Sequence, residues 1–180
     1  MVELLLETGD VDIDSVDQDG RTPLSYAAES GSEAIVKLLL ETGDVDIDSV
    51  DQYGRTPLSY IAESGSEAVF KLLLETGEVD INSKDHESRT PLSHAAENGK
   101  ETMVKLLLET GVVDVDSKDN LGQAPLLYAA MDRYETVVKL LLKGKADVDS
   151  KDNDGQTPMS RAIEGGHEGV VKLLQSFSSE

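Results

Sequence analysis

Residues 16–49 read VDQDGRTPLSYAAESGSEAIVKLLLETGDVDIDS, and residues 50–83 repeat this stretch with 28 of its 34 positions unchanged. A Thr-Pro pair marks the same point in each copy, with Ala-Pro in its place once. Its successive spacings are 34, 34, 34 and 33 residues, a period that is typical of stacked repeats rather than of one globular core. The short interval indicates one residue missing near Gly144. The sequence therefore predicts a single domain, 1–180, made of a partial repeat and five further repeats: 1–15, 16–49, 50–83, 84–117, 118–150 and 151–180.

Each copy carries the signals of two short helices. Thr22 before Pro23 predicts a helix start, because the hydroxyl can cap a backbone N–H and proline suits the first helical position. Gly31 ends this helix, and a second helix is expected from about residue 33 to residue 41. Apolar residues recur at helical spacing in both, and a Glu-Lys pair four residues apart recurs in every repeat, which predicts an exposed outer face.

The link between repeats is rich in aspartate, as in DVDIDS at 44–49. Its strict alternation predicts a short extended segment, with Val45 and Ile47 on a buried face and the aspartates in solvent. The glycine at position 20, which recurs in most repeats, predicts the turn of a hairpin.

A calcium-binding loop is the alternative interpretation of these aspartates. An EF-hand loop beginning at Asp10 fails, because Ser15 stands where a glycine is needed and Arg21 stands where a bidentate glutamate is needed. Looser binding of a divalent cation by the crowded carboxylates stays open.

The composition limits the classes of partner. A net charge of −20 over 180 residues argues against nucleic acid and anionic membranes, and it favours a basic protein partner. Cysteine is absent, so disulfides and thiol catalysis are excluded. No apolar run reaches the roughly 20 residues that span a bilayer, and we expect an intracellular, cytoplasmic protein. No catalytic, phosphate-binding or zinc motif is present, so we expect no enzyme, no cofactor and no metal site.

The stretch DQDGRTPLSYAAESGSEAIVKLLLETG closely resembles the ankyrin repeat, whose pattern is D-x-x-G-x-T-P-L-H-x-A-A-x-x-G-H-x-x-I-V-x-L-L-L-x-x-G. The likeness covers nearly the whole chain, and serine usually stands at the histidine of T-P-L-H. The resemblance implies an all-α solenoid of stacked helix–turn–helix units with short β-hairpins. It also implies a module that binds a protein partner along a concave repeat surface.

The resemblance extends more narrowly to the near-identical arrays at the C-terminus of fungal NACHT-type, NLR-like receptors, which implies the ligand-sensing array of a larger receptor. The chain opens on MVELLLETG, which matches only the end of a second helix. We therefore expect a piece of a longer array, or a chain engineered from such repeats. Because Leu4, Leu5 and Leu6 lack a partner helix, self-association through this end is expected.

Positions that vary between otherwise near-identical repeats are the best candidates for partner contacts, and ankyrin proteins generally use the corresponding positions. Tyr53, Leu121 and Met131 are apolar where the pattern is polar, and arginines lie beside them in the sequence. The candidate partner-binding residues are Arg21, Tyr53, Arg55, His86, Arg89, Leu121, Gln123 and Met131. A structural spacer or repeat-derived chain without a partner of its own stays as an alternative, as does weak cation binding at the turns.

Two other groups of residues receive structural interpretations. The histidines fall at three different positions in the repeat, and we predict variable surface or half-buried residues at His86, His94 and His167. The tyrosines at one shared position are predicted to pack between first helices, and they are Tyr26, Tyr60 and Tyr128.

The fourth repeat is predicted to be the least stable. Arg133 replaces the glycine between its helices, and Ala124 replaces the capping threonine. The lost cap alone costs about 0.5–2 kcal/mol. In the third repeat Ser88 replaces the turn glycine.

Overall fold

The computed structural model describes residues 12–43 and 45–177, and the regular structure within these ranges is ten α-helices and no β-strand. The helices, labelled α1 to α10 in chain order, are Pro23–Ser30, Glu33–Glu41, Pro57–Ser64, Glu67–Glu75, Pro91–Glu97, Glu101–Glu109, Pro125–Met131, Glu135–Lys143, Pro158–Glu164 and Glu168–Phe177. The predicted all-α fold of helix–turn–helix units is thus confirmed.

The first helix of each pair begins and ends where the sequence predicted. In α1 the side chain of Thr22 accepts a hydrogen bond from the Ser25 amide, and Pro23 occupies the first turn. Gly31 has a φ of 65°, and its N–H closes the helix on the carbonyls of the last turn. Leu24 and Ala28 are fully buried, and the small alanine allows the neighbouring helix to approach closely.

The chain divides into two compact units, Met1–Asp80 and Ile81–Glu180. In the first unit α1 packs on α3 and α2 on α4, so that each helix pair lies against the next. In the second unit α5, α7 and α9 pack in series, and α6, α8 and α10 do the same. The leucines and valines that face inward in both units are fully buried, and each is worth about 1.5–3 kcal/mol relative to an exposed side chain.

The aspartate-rich links are turns rather than paired strands, which corrects the expected hairpin strands for the described residues. Ile47 is buried as predicted, but the aspartates are not uniformly in solvent. Asp46 accepts a hydrogen bond from the amide of Asp48, two residues on, while Asp48 accepts one from the amide of Asp80 in the next repeat. Short side chains that bond nearby backbone amides favour turns over extended strands.

Within residues 12–43 and 45–177, three residues other than glycine adopt a positive φ, each at a position where other repeats carry glycine. They are Ser88 (64°), Arg133 (63°) and Lys145 (69°). Because Lys145 stands where Gly111 stands one repeat earlier, the residue missing from the 33-residue interval follows Lys145. Ala124 precedes α7 without a side-chain cap, as predicted. The fourth repeat thus combines a lost cap with two strained backbone positions.

Some sequence predictions concern the chain ends. The predicted self-association through Leu4, Leu5 and Leu6 lies outside the described residues.

No helix in 12–43 or 45–177 combines the length and the apolar character needed to cross a membrane.

Candidate functional site

One aspartate in each turn fixes the conformation of the residues that follow it. Oδ1 of Asp51 accepts hydrogen bonds from the backbone amides of Tyr53, at 2.8 Å, and Arg55, at 2.9 Å. The same two bonds, to the amides two and four residues later, recur in every repeat. The turn aspartates are Asp17, Asp51, Asp85, Asp119 and Asp152. They therefore hold the backbone of several candidate partner-binding residues in place.

The second carboxylate oxygen of each turn aspartate binds a side chain of the first helix, nine residues later. We call this the donor position. Its five donors, with their distances to Oδ2, are Tyr26 (2.5 Å), Tyr60 (2.6 Å), His94 (3.1 Å), Tyr128 (2.5 Å) and Arg161 (2.9 Å). Each turn is thereby tied to its own helix pair.

This arrangement corrects one sequence prediction and adds to another. His94 is fully buried and pairs with Asp85, so it is neither a surface nor a half-buried residue. The tyrosines do more than pack, because each hydroxyl donates to a turn aspartate, and Tyr26 remains 46% exposed. The sequence did contain the signal, since the donor position always lies nine residues after the turn aspartate.

The electrostatics show which turn aspartates are most strongly stabilised as anions. Burial alone would raise the pKa of Asp85, but the bond from His94, the Arg89 amide and the Arg89 charge outweigh it and lower the pKa to about 2. The pKa of Asp51 is also lowered, since bonds from Tyr60 and Arg55 outweigh its burial. An ionised Asp85 accepts hydrogen bonds only, so Nε2 of His94 carries the proton and donates it.

The three candidate arginines already bind within the chain. The guanidinium carbon of Arg21 lies 4.0 Å from the ring centre of Tyr26, and its Nη2 lies 2.5 Å from Glu29. Arg55 and Arg89 each bond to the turn aspartate four residues earlier, at 2.9 and 3.1 Å. These contacts leave only 15–23% of each arginine side chain exposed, so the arginines stiffen the surface.

The other candidates divide by exposure. In the first unit Tyr53 is 56% exposed, beside Arg55, whose guanidinium carbon lies 5.1 Å from the Tyr53 ring centre. In the second unit Leu121 is 62% exposed and Met131 38% exposed. His86 is exposed and Gln123 is half-buried. Exposed apolar side chains on rigid turns and helix ends are the kind of residue that anchors a protein partner.

The described residues offer no ready-made metal site. In 12–43 and 45–177 no group of three or more histidine, aspartate or glutamate side chains is arranged to hold an ion. Many carboxylates in the links between repeats already accept hydrogen bonds from backbone amides. Asp14, for example, accepts one from the Asp46 amide, and Asp116 accepts one from the Asp147 amide. Cation binding would have to replace these bonds.

Paired helices, joined by turns and stacked repeat on repeat within each unit, define a helical repeat protein. The family model described as Ankyrin repeats (3 copies) matches residues 1–85, 76–152 and 113–179. The chain therefore belongs to the ankyrin-repeat family, whose members are generally protein–protein interaction modules and typically not enzymes. A search of curated proteins gave no match to the chain.

Proposed function

We propose that the chain binds a protein partner through the exposed residues of its turns and first-helix ends. The observation that carries the proposal is the exposure of Tyr53 and Leu121 at turn tips whose backbone is fixed by buried aspartates. A fixed backbone lowers the entropy cost of ordering a surface on binding. Large apolar side chains in such places supply binding energy once a partner covers them.

The eight candidate residues have two roles in this proposal. Tyr53, His86, Leu121 and Met131 contact the partner directly, and Gln123 follows Leu121 by two residues. Arg21, Arg55 and Arg89 present their partly exposed guanidinium groups and hold neighbouring side chains in place. The net charge of −20 supports a basic partner.

The experiment compares capture by the wild type with capture by the Tyr53→Ala, Leu121→Ala double variant. The control is Val50→Ala with Val112→Ala, which removes two side chains that are 56% and 67% exposed elsewhere in the repeat. We expect a partner to be retained by the control and lost by the double variant. Equal capture by the double variant and the control would count against Tyr53 and Leu121 as partner contacts. Capture of nothing by the wild type would favour the alternative of a structural spacer.

The broader context of the proposal is a larger NLR-like receptor in which this array senses the ligand. The near-identity of residues 16–49 and 50–83 supports this, because arrays in such receptors resemble it. The test is to sequence the full-length transcript and look for a nucleotide-binding domain before the array. A complete transcript that lacks such a domain would remove this context, while the binding proposal itself would stand.

A further inference from the structure

The fourth repeat lacks an ion pair that is present elsewhere in the array. In the first repeat Arg21 lies 2.5 Å from Glu29, and in the third Arg89 Nη1 lies 3.3 Å from Glu97 Oε2. These pairs show that the residue after the turn glycine position faces the last residues of the first helix. In the fourth repeat the two positions are held by Gln123 and Met131.

The turn aspartate of the fourth repeat also differs from its neighbours in the second unit. Asp85 has a cationic partner in Arg89 and also accepts a hydrogen bond from the ring of His94, and Asp152 has a cationic partner in Arg161 at 2.9 Å. Asp119 accepts only from the amides of Leu121 and Gln123 and from the hydroxyl of Tyr128. All three of these donors are neutral.

Acidic residues border this part of the surface on both sides. The Asn120 amide donates to the carbonyl of Glu87, and the Asn153 amide donates to the carbonyl of Leu121, both at 2.9 Å. The Leu121 turn is thereby held between a turn that carries Glu87, whose side chain is 70% exposed and lies 3.2 Å from Arg89, and a turn that carries the exposed Asp154. The turns on both sides of the exposed Leu121 thus carry acidic residues.

We propose that Leu121, Gln123 and Met131, the repeat-four patch, bind a protein segment that brings an aliphatic side chain next to an arginine or lysine. The aliphatic group covers Leu121 and Met131, and the cation occupies the place that Arg89 takes in the third repeat, near Asp119 and the bordering carboxylates. The inference rests on the proposed protein-binding function and adds the chemistry of the partner. Complementary charge favours this occupant over an acidic or uncharged segment.

The test selects binders to the whole chain from a random-peptide library displayed on phage. Enriched peptides are expected to combine leucine, isoleucine or methionine with arginine or lysine. Replacing that arginine by citrulline, which has the same shape without the charge, should weaken binding several-fold, as should added salt. Enriched peptides without a cation, or with unchanged affinity after the citrulline replacement, would overturn the proposal.

The location is tested by Gln123→Arg with Met131→Glu, which restores the pair found in the third repeat and so is expected to fold. Binding of a selected peptide should fall about tenfold or more in this variant, since the new arginine fills the place of the peptide's cation and the Met131 contact is lost. Val112→Ala, which alters an exposed residue elsewhere in the second unit, should leave it unchanged.

The two proposals fail in different ways. Peptides that bind the Gln123→Arg, Met131→Glu variant normally but lose binding on Tyr53→Ala would overturn the repeat-four assignment and leave the protein-binding function standing. A selection that yields no specific peptide, together with no captured partner, would count against both.

Discussion

Replacing Asp85 by asparagine tests whether a turn aspartate stabilises its repeat by charge as well as by hydrogen bonding. The side chain of Asp85 is 2% exposed, and its Oδ2 lies 3.1 Å from both His94 Nε2 and Arg89 Nε. Asparagine has nearly the same shape and can still accept the amides of Glu87 and Arg89. It removes the negative charge and leaves two cationic or proton-donating partners facing a neutral amide.

The size of the effect follows from the pKa of Asp85. Burial acts to raise it, but the His94 bond, the Arg89 amide and the Arg89 charge together lower it from the usual 3.8 to about 2. Since one pKa unit corresponds to about 1.4 kcal/mol, the ionised carboxylate adds on the order of 2 kcal/mol to the free energy of unfolding at neutral pH. A folded-state pKa below the unfolded value means that this contribution is complete above pH 3.8 and is lost as the pH falls towards 2.

The assay is urea denaturation followed by circular dichroism, with Asp119→Asn as the matched control. Asp119 has the same place in its turn but only neutral donors, so its replacement should cost roughly 1 kcal/mol. Asp85→Asn should cost about twice as much at neutral pH, and its curve should approach that of the wild type in the acid range. Equal losses in the two variants, or a pH-independent loss in Asp85→Asn, would refute the argument from charge.

Three further predictions concern stability. Ser88→Gly and Arg133→Gly should each raise the free energy of unfolding by about 0.5–1 kcal/mol, because both residues have φ above +60°; unchanged denaturation midpoints would contradict this. Ala124→Thr should add about 0.5–2 kcal/mol by restoring the cap, and hydrogen exchange should show residues 118–150 less protected than 50–83. Equal or greater protection would mean that the fourth repeat is not the weak one. Added calcium should leave the melting temperature unchanged, whereas a saturable rise would revive the cation-binding alternative.

The helix pairs could be predicted from the sequence because their signals are local. The caps at Thr22, Thr56 and Thr90, the prolines after them and the glycine at the end of α1 act within a single turn of helix. These local signals predict the same helix pairs as the fixed repeat period, which independently indicates a stack of repeats. The predicted helix bounds therefore lie close to those of the structure.

The links could not be predicted in the same way, because alternation of apolar and acidic residues fits two structures. In DVDIDS at 44–49 it fits a half-exposed strand, which was the prediction. It fits equally well a series of turns in which carboxylates accept amides from their own repeat and from the next one. Only the second arrangement places Asp48 against the Asp80 amide, a contact 32 residues away in sequence. The sequence of a single repeat does not predict a hydrogen bond to the next repeat.

The donor position shows why variation between repeats is an imperfect guide to binding surfaces. The position holds tyrosine, histidine or arginine, and from the sequence this looks like unconstrained surface variation. In the structure, however, each of these side chains donates a hydrogen bond to the turn aspartate. Any side chain of suitable length with an N–H or O–H group satisfies the buried carboxylate, so the donor changes between repeats while the bond is kept. At Gln123 and Met131 the opposite holds, because the replacement removes an ion pair and supplies no other. Variation that preserves a contact indicates structure, and variation that abolishes one on an exposed face indicates a surface available to a partner.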